Sequence, residues 1–415
     1  MTVSLLLLMV IPLPSPAQDA KTVRISGYVK NFSMVFDPPE ALEEESGSPI
    51  GAVNTRLRLK LDVQPDAPVE FHAAYDLSPR IQDPSLFEDS PYLFSLDSSP
   101  YRIEDLDRLI TPQGDAPDTS FGLYQNLDRL YVSLGYDFGD IYIGRQAIAW
   151  GSAHVINPTD ILAPFSFTEL DQEERFGVDA ARVRVPLGMM SELDLGYVFG
   201  EDGSSREHAF FLRGKGYAWQ TDMSVILMGF KEHAMVGLDL ARAIGGAGVW
   251  IEGAYVKPDF FRDSNASDGD DTGYTRVSIG MDASLTEKLY GFMEYHFNEA
   301  GASSPEGYTD RFSTPAYRDG AVYLMGEHYL AVGGTYQLHP LAPLSATLIH
   351  NLADHSLSIS PQIDYNIAED IYLAAGATLG IGKRPYRETP SADPLLRSEF
   401  GAYPDMYWAS FRVYF

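Results

Sequence analysis

Basic side chains at alternate positions are the residues of this sequence best suited to chemistry, and that chemistry is the electrostatic handling of charged solutes. In the segment from Ala52 to Val63, Arg56, Arg58 and Lys60 alternate with leucines. A period of two places the three cations on one face of a β-strand, and charges on so apolar a strand require water on that face. The segment predicts a spanning strand with one row in a wet lumen and the other in lipid.

The same parity assigns further charged side chains to the lumen. The basic ones fall in the first half of the chain: Arg56, Arg58, Lys60, Arg129, Arg145, Arg182, Arg184, Arg213 and Lys215. Apart from Arg276, the second half contributes mostly acids: Asp239, Glu252, Asp282, Glu294 and Asp364. Opposite charges on opposing walls create a transverse field that filters charged solutes. The alternative interpretation is an ordinary polar lining, balanced by local acids such as Glu70, Asp76 and Asp194.

Two short clusters suggest metal binding or catalysis, and both signals are weak. Residues 263–271 alternate oxygen-bearing side chains around a glycine, as a calcium loop does, but lack the bidentate Glu that such a loop needs. Asp354, His355 and Ser356 are consecutive, so their side chains cannot readily converge as a hydrolase triad. The chain has no Cys, which removes thiolate metal sites and covalent c-type haem. We therefore expect no enzyme activity, no metal and no cofactor.

The element that positions the charged residues is most evident in the last ten residues, Met406 to Phe415. Alternate residues form one apolar row, and the row between them is more polar. The ending resembles the terminal strand of bacterial outer-membrane β-barrels, where a final Phe and alternate apolar residues are read by the assembly machinery. The resemblance assigns an assembly signal to Tyr407, Phe411, Val413 and Phe415. The alternative is an edge strand of a soluble sandwich.

Repetition of this pattern predicts the fold class: an all-β, transmembrane, antiparallel up-and-down barrel of about 18 strands, with 16 or 20 as alternatives. Short turns alternate with longer connections rich in Asp, Ser, Gly and Pro. We expect the turns and both termini in the periplasm, and two bulges, at Gly27 and Gly144, where the apolar row changes side. Residues 18–415 form one domain with long extracellular loops over 37–51, 78–121, 151–175, 257–272, 299–324 and 382–403.

Composition and the first residues agree with an exported barrel. A formal charge of -28 argues against nucleic-acid binding, because phosphate contacts need a basic surface. A mean hydropathy of -0.14 excludes a multi-helix membrane protein. Leu5 to Ile11 is a short apolar core before Ser15-Pro16-Ala17, which predicts a signal peptide over residues 1–17 and cleavage after Ala17. The expected location is the cell outer membrane.

The segment from Gly144 to Arg175 carries the second resemblance. It reads Gly-Arg-Gln and Trp-Gly, then Asn157-Pro-Thr-Asp160, and it resembles a segment of porin-like barrels related to the alginate-export and capsule-associated families. Its connecting loop contains many apolar residues, Phe165 and Phe167 among them, which are poorly suited to water. We expect this loop to fold into the barrel and narrow the pore, or alternatively to pack on the rim or against a neighbouring subunit.

These features predict a porin-like channel that passes small solutes through a charged lumen. Arg145, Arg182 and Arg184 flank the inward loop and would form the constriction with it. Two alternatives stay open: a barrel sheath around a multihaem cytochrome in an electron conduit, and an exporter of anionic polysaccharide. The expected partners are outer-membrane lipid and the barrel-assembly machinery, with a homo-oligomer or a periplasmic multihaem cytochrome as further candidates and no nucleic acid.

Overall fold

The computed structural model describes residues 22–39, 49–66, 68–86, 100–112, 119–164, 169–204, 206–262, 272–320, 322–389 and 394–415. Three sequence predictions fall outside these ranges. They are the signal peptide over 1–17, the calcium-like segment 263–271, and the two loop phenylalanines Phe165 and Phe167. Within the described ranges, no helix reaches the length and apolar character needed to cross a bilayer.

The described chain forms nineteen strands and two short helices. The strands are β1 Thr22–Asp37, β2 Ile50–Asp66, β3 Val69–Gln82, β4 Leu109–Thr111, β5 Phe121–Tyr136, β6 Gly139–Ala147, β7 Gly177–Pro186, β8 Glu192–Val198, β9 Ala209–Ala218, β10 Thr221–Phe230, β11 His233–Ile244, β12 Ala247–Lys257, β13 Tyr274–Ser284, β14 Leu289–Asn298, β15 His328–His339, β16 Ala342–Asn351, β17 Leu357–Ala368, β18 Ile371–Ile381 and β19 Asp405–Tyr414. The helices are α1 Tyr308–Arg311 and α2 Pro315–Asp319.

Eighteen of these strands close into one antiparallel barrel, as predicted. Each strand pairs with the next along the chain, except that β3 pairs with β5 and the three-residue β4 lies beside β5 in a connection. The ring closes where β1 pairs with β19 from Tyr28 opposite Tyr414 to Asp37 opposite Asp405. Two further backbone hydrogen bonds, Gly27 N to Phe415 O at 2.9 Å and Phe415 N to Gly27 O at 3.0 Å, extend that seam. The sheet therefore has no open edge.

The two faces of the strands differ as an apolar exterior and a filled interior require. On β10 and β11 the outward residues are 44–53% exposed: Val225, Leu227, Val236 and Leu238. The alternating residues Ile226, Met228 and Met235 are buried. On β2, Leu59 is 45% exposed and Arg58 only 2%. The register predicted for the strand from Ala52 to Val63 is confirmed, because its apolar row faces outward.

Neither predicted bulge is present. The pairing of β1 with β2 runs without a register shift from Thr22 to Phe36, so the residues after Gly27 keep the parity of those before it. Tyr28 and Phe32 face the interior. The aromatic character of their row had suggested the lipid face instead. At Gly144 the register is also continuous on both sides. The side chains change sides at Gly144 itself and without an extra residue. Gly144 has φ +117°, a backbone conformation that L side chains rarely adopt.

The bulge expected at Gly144 would return Arg145 to the lumen and set Ile148 and Trp150 outward, and the second part of that expectation is wrong. Both are buried inside the barrel, in one apolar cluster with Ile161 and Leu162. The long connection between β6 and β7 leaves the wall after Ala147, and its described residues enter the lumen, where apolar side chains such as Ile161 and Leu162 pack against the interior of the strands. We call its described part, residues 148–164 and 169–176, the inner loop.

Turn lengths alternate around the barrel as the sequence indicates. Short connections join β2 to β3, β5 to β6, β7 to β8, β9 to β10, β11 to β12, β13 to β14, β15 to β16 and β17 to β18. At the other end six longer connections have bounds within a few residues of the predicted ones, at 38–49, 83–120, 148–176, 258–273, 299–327 and 382–404, and a further longer connection spans 199–208. Residues 231–232 and 352–356 are the two short connections at this end.

Neighbouring cysteine substitutions test the orientation of the wall. Thr347 and Leu348 are consecutive on β16, so their side chains point to opposite faces. In this Cys-free chain, Thr347→Cys should react with a membrane-impermeant maleimide in intact outer membranes, whereas Leu348→Cys should be protected by lipid. Mass spectrometry of the labelled protein gives the extent of reaction. The reverse pattern would mean that the register of β16 is shifted by one residue.

Candidate functional site

Two buried carboxylates hold the inner loop in place. Glu252 on β12 and Glu294 on β14 are 0% and 1% exposed, and both point into the barrel. Neither forms an ion pair in the described part of the chain; both accept hydrogen bonds from the inner loop instead. A buried carboxylate is stabilised when several N–H and O–H groups donate to it, so these two act as receptors for the loop backbone.

Glu252 joins two parts of the inner loop, Ala153 and the segment from Asn157 to Thr159. It accepts from Ala153 N at 3.1 Å, from Asn157 Nδ2 at 3.1 Å, and from Thr159 N at 3.0 Å and Oγ1 at 2.7 Å. Gly151 lies directly beside this carboxylate, where a Cβ would collide with both oxygens, and its φ of +110° suits glycine. The loop sequence is therefore fitted to the carboxylate.

Glu294 receives the tip of the loop. Its oxygens accept from three consecutive backbone N–H groups, those of His154 at 2.7 Å, Val155 at 3.2 Å and Ile156 at 3.1 Å. Trp250 Nε1 donates to the same carboxylate at 3.0 Å, and the Trp250 ring stacks on His154 with centroids 4.1 Å apart. The tip is thus fixed against β12 and β14.

Side chains of β13 complete the anchorage. Arg276 donates to Pro158 O at 2.7 Å, and Ser278 Oγ donates to Ile156 O at 2.7 Å. Asp239 on β11 accepts a hydrogen bond from Ser152 Oγ. Of the lumenal acids predicted to oppose the arginines, Asp239, Glu252 and Glu294 bind this loop, so they are committed to structure. Asp282 accepts from Tyr290 Oη at 2.9 Å and lies 3.6 Å from His154 Nε2.

The basic residues of the first half are paired with acids near them. Arg58 contacts Asp76 at 3.0 Å and Asp128 at 2.5 Å. Arg182 forms a two-bond pair with Asp194, at 2.8 and 2.6 Å. Asp76 and Asp194 are acids that the local-balance interpretation named. Ion pairs of this kind cancel the field that an unpaired row of arginines would project.

The remaining predicted cations have similar surroundings. Arg184 pairs with Glu192 at 2.6 Å, Arg129 with Asp128 at 2.6 Å, and Arg56 with Asp171 at 3.6 Å. Arg145 contacts Asp105 and Asp179, each at 2.8 Å, and Lys60 pairs with Glu174. Arg213 lies directly opposite Asp194 in the register of β8 and β9. The basic half of the barrel is therefore a dense ion-pair network.

Sequence reasoning missed Lys30 as a member of this network. Lys30 is fully buried on β1 and contacts Asp171 at 2.8 Å and Glu173 at 2.5 Å, both from the end of the inner loop. The bulge predicted at Gly27 reversed the parity of β1, which sent the Lys30 row outward. With a continuous register, Val23 and Ile25 face lipid and Lys30 faces the lumen. The charge of Lys30 supports that register, because a lysine on the other face would lie in lipid.

Among the described residues, an open part of the lumen lies against the opposite wall. A cavity of about 680 Å³ separates the inner loop from strands β14 to β19. The loop contributes His154, Glu169 and Arg175 to its lining. The wall contributes mostly uncharged residues: Ser345, Thr347, Ser360, Gln362 and Thr378 from β16–β18, and the aromatic residues Tyr290, Phe292 and Trp408. None of the wall positions was predicted as pore-lining, since a search for charge passes over serines and threonines.

A second buried cluster ties three connections at the same end of the barrel together. Glu399 accepts from Tyr329 Oη at 2.5 Å, Asn351 Nδ2 at 2.7 Å and Met325 N at 2.9 Å. Asp354 accepts from Glu399 N at 2.6 Å. We call these five residues the loop clasp. It joins the connections after β14, β16 and β18, and its neighbour Phe400 packs with Ile156 of the inner loop.

The loop clasp also accounts for the weak hydrolase signal. Asp354 accepts from Tyr308 Oη at 2.7 Å, and Ser356 Oγ accepts from Phe400 N at 3.2 Å. Both side chains are used to hold loops together, and His355, with φ +61°, occupies the turn between them. The three consecutive residues therefore serve a turn and its anchors.

A closed barrel of eighteen antiparallel strands with an apolar exterior is the architecture of an outer-membrane β-barrel, here with a loop folded into the lumen. No family model matches the sequence, and no curated protein does. Solved structures do match, and the chain is similar in fold to OccAB4 of Acinetobacter baumannii, with a TM-score of 0.57 and 10% identity over 95% of this chain and 99% of that one.

Two solved structures from Pseudomonas aeruginosa show the same similarity. OpdK, solved with vanillate, gives a TM-score of 0.55 and 8% identity over 94% of this chain and 98% of OpdK. OccK2 (OpdF), in complex with glucuronate, gives 0.55 and 9% over 94% of this chain and 96% of OccK2. At such identities the shared property is the fold.

Replacing either of the two carboxylates that accept hydrogen bonds from the inner loop should loosen that loop. Glu252→Gln and Glu294→Gln each replace an acceptor oxygen by an NH₂ group that faces backbone donors, which leaves those donors unsatisfied at about 1–3 kcal/mol each. Single-channel recordings should show larger and noisier currents for both variants. Glu287→Gln, in an exposed turn, is the matched control and should behave as the parent. Unchanged current in all three would mean that the loop does not limit flow.

The loop clasp should weaken as pH rises. Burial raises the pKa of Glu399 to about 7 from 4.5, the neighbouring Asp354 carboxylate adds to this, and the three donors oppose it. Because the folded pKa is the higher one, the stability contributed by protonated Glu399 is present below about pH 4.5 and is lost as pH rises to about 7. Amide exchange of residues 322–327 and 394–403, corrected for intrinsic rates, should therefore be faster at pH 8 than at pH 5.

Glu399→Gln should remove this pH dependence, whereas Glu388→Gln, exposed in the same connection, should retain it. A pH-independent exchange rate in the parent protein would show that Glu399 keeps one protonation state across this range.

Proposed function

We propose that the protein is a passive outer-membrane channel for small polar solutes, which pass between the inner loop and the wall formed by β14 to β19. The observation that supports this most directly is the lumenal cavity of about 680 Å³. This volume is in the range of sites that hold one small molecule. The channel fold of the structural neighbours, two of which were solved with small organic acids, supports the same proposal.

The alternatives receive less support. A multihaem cytochrome within the barrel needs a wide lumen, whereas the protein's own inner loop occupies this one and is fixed by Glu252 and Glu294. Export of an anionic polysaccharide draws on the resemblance of residues 144–175 and on the arginine-rich half. The arginines of that half are engaged with acids, which reduces their capacity to guide a polyanion.

The proposal places lipid around the barrel and implies insertion by the barrel-assembly machinery. The outward face supports the first point, because it is apolar on strand after strand. The apolar row of β19 that contains Phe411 and Val413, followed by Phe415, supports the second. Transport needs no chemical step: selection is made by the width of the cavity and by its lining.

Bulky substitutions in the wall test this route. Thr347→Trp and Ser360→Trp would place an indole in the cavity, and each should lower single-channel conductance in planar bilayers by about half or more, because the current follows the open cross-section. Leu348→Trp and Ile359→Trp, on the outward face of the same strands, are matched controls that should conduct normally. If the parent protein forms no channel, the proposed function fails; if the inward variants conduct normally, the route lies elsewhere.

A further inference from the structure

The wall of the cavity is rich in uncharged hydrogen-bonding groups. Five such side chains line it from three adjacent strands, Ser345, Thr347, Ser360, Gln362 and Thr378, beside the apolar Ala346, Ile349, Pro361 and Ala377. A hydroxyl group can donate one hydrogen bond and accept two, and an amide can donate two and accept two. Ser360 Oγ donates to Thr378 Oγ1 at 3.3 Å, and Gln362 Nε2 donates to Asp364 at 3.1 Å, which leaves each with further capacity. The wall can therefore replace water around a solute that carries several hydroxyl groups.

Aromatic rings border this wall on both sides. Phe292 on β14 and Trp408 on β19 line the same cavity. The Phe292 ring fills the space that a side chain at Gly333 would occupy, and the Trp408 ring does the same over Gly376. Glycine on the neighbouring strand thus lets each ring lie against the wall. Apolar ring surfaces at the edges of a polar wall suit a solute with both hydroxyl groups and C–H faces.

The charged residues of the lining do not favour an anion. The loop contributes one carboxylate, Glu169, and one guanidinium, Arg175, so their formal charges cancel. Arg175 already contacts Asp160 at 3.0 Å and Ala163 O at 2.8 Å. A solute carboxylate would lose hydration on entry, and no uncommitted cation on the described lining would replace that hydration.

We propose that the channel selects neutral polyhydroxylated solutes of monosaccharide size, binding them transiently between the hydroxyl-rich wall and the two bordering rings. This inference rests on the proposed function, and it adds the class of solute. The hydroxyl and amide side chains exchange hydrogen bonds with the solute, Phe292 and Trp408 pack on its C–H faces, and the balanced lining gives a carboxylate no compensation. The preferred solutes are thereby uncharged, unlike the organic acids vanillate and glucuronate of the two structural neighbours.

Glucose and glucuronate are matched probes, because they differ only in a CH₂OH group against a carboxylate. In proteoliposomes at pH 7, labelled glucose should enter at least about threefold faster than glucuronate, since the lining does not repay the desolvation of the charge. In planar bilayers, millimolar glucose should reduce the ion current reversibly as it occupies the cavity. Equal or faster entry of glucuronate would overturn the inference while leaving the channel intact.

Two variants separate binding from simple width. Thr347→Val keeps the volume but loses the hydroxyl, and Trp408→Ala widens the cavity and loses a ring. Both should weaken the glucose block several-fold, and Trp408→Ala should do so although its ion conductance rises. Leu348→Ala, on the outward face, should leave the block unchanged, and resistance of each purified barrel to unfolding in detergent confirms folding.

A glucose block that survives both substitutions, or no block in the parent protein, would overturn the inference. The proposed function fails separately, because it predicts ion current even when no sugar is present. A protein that passes neither ions nor solutes therefore contradicts the channel itself, whereas a conducting protein indifferent to glucose contradicts only the choice of solute.

Discussion

Closure of the sheet is the constraint on which the rest of the structure depends. Hydrocarbon offers no partners to a free N–H or C=O group, so a spanning sheet must bond its last strand to its first. Here the pairing of β19 with β1 does this, and the bonds between Gly27 and Phe415 carry it to the end of the seam. Once the ring is closed, each strand has one face in lipid and one in the lumen. The strict alternation of side chains follows from that geometry.

The interior then has to satisfy a large number of polar groups, and it does so differently on its two sides. Near β1 to β9, charged side chains neutralise one another, as Arg58 does with Asp76 and Asp128. Near β11 to β14, buried carboxylates receive the backbone of the inner loop, as Glu252 and Glu294 do. The wall from β14 to β19 faces the open cavity, and its side chains are mostly neutral. In the described part of the lumen, two sides are therefore filled by protein groups and the third borders a cavity.

Much of this fold could be predicted from the sequence, because alternation and turn chemistry are local. The eighteen strands, the short turns at one end and the register from Ala52 to Val63 followed from them. The parity of β1 and the fate of Ile148 and Trp150 did not. A barrel filled by its own loop has apolar side chains inside as well as outside, so an aromatic row such as Tyr28 and Phe32 does not by itself identify the lipid face.

The candidate site was harder to predict for a related reason. Charge drew attention to Arg182 and Arg184, whereas their pairing with Asp194 and Glu192 depends on register and on rotamers that sequence does not display. The cavity wall consists of serines, threonines and a glutamine, residue types that are common on any wet surface. Their role becomes visible only when the inner loop is seen to approach one side of the barrel and leave space at the other.

The separation of the ion-pair network from the open wall has a consequence for how such a protein diverges. Residues that keep the barrel folded and residues that meet the solute lie on different strands, so exchanges at Ser345 or Gln362 disturb no ion pair of the basic half. Descendants of one ancestral barrel can therefore acquire different solute specificities through a few substitutions along one stretch of the circumference.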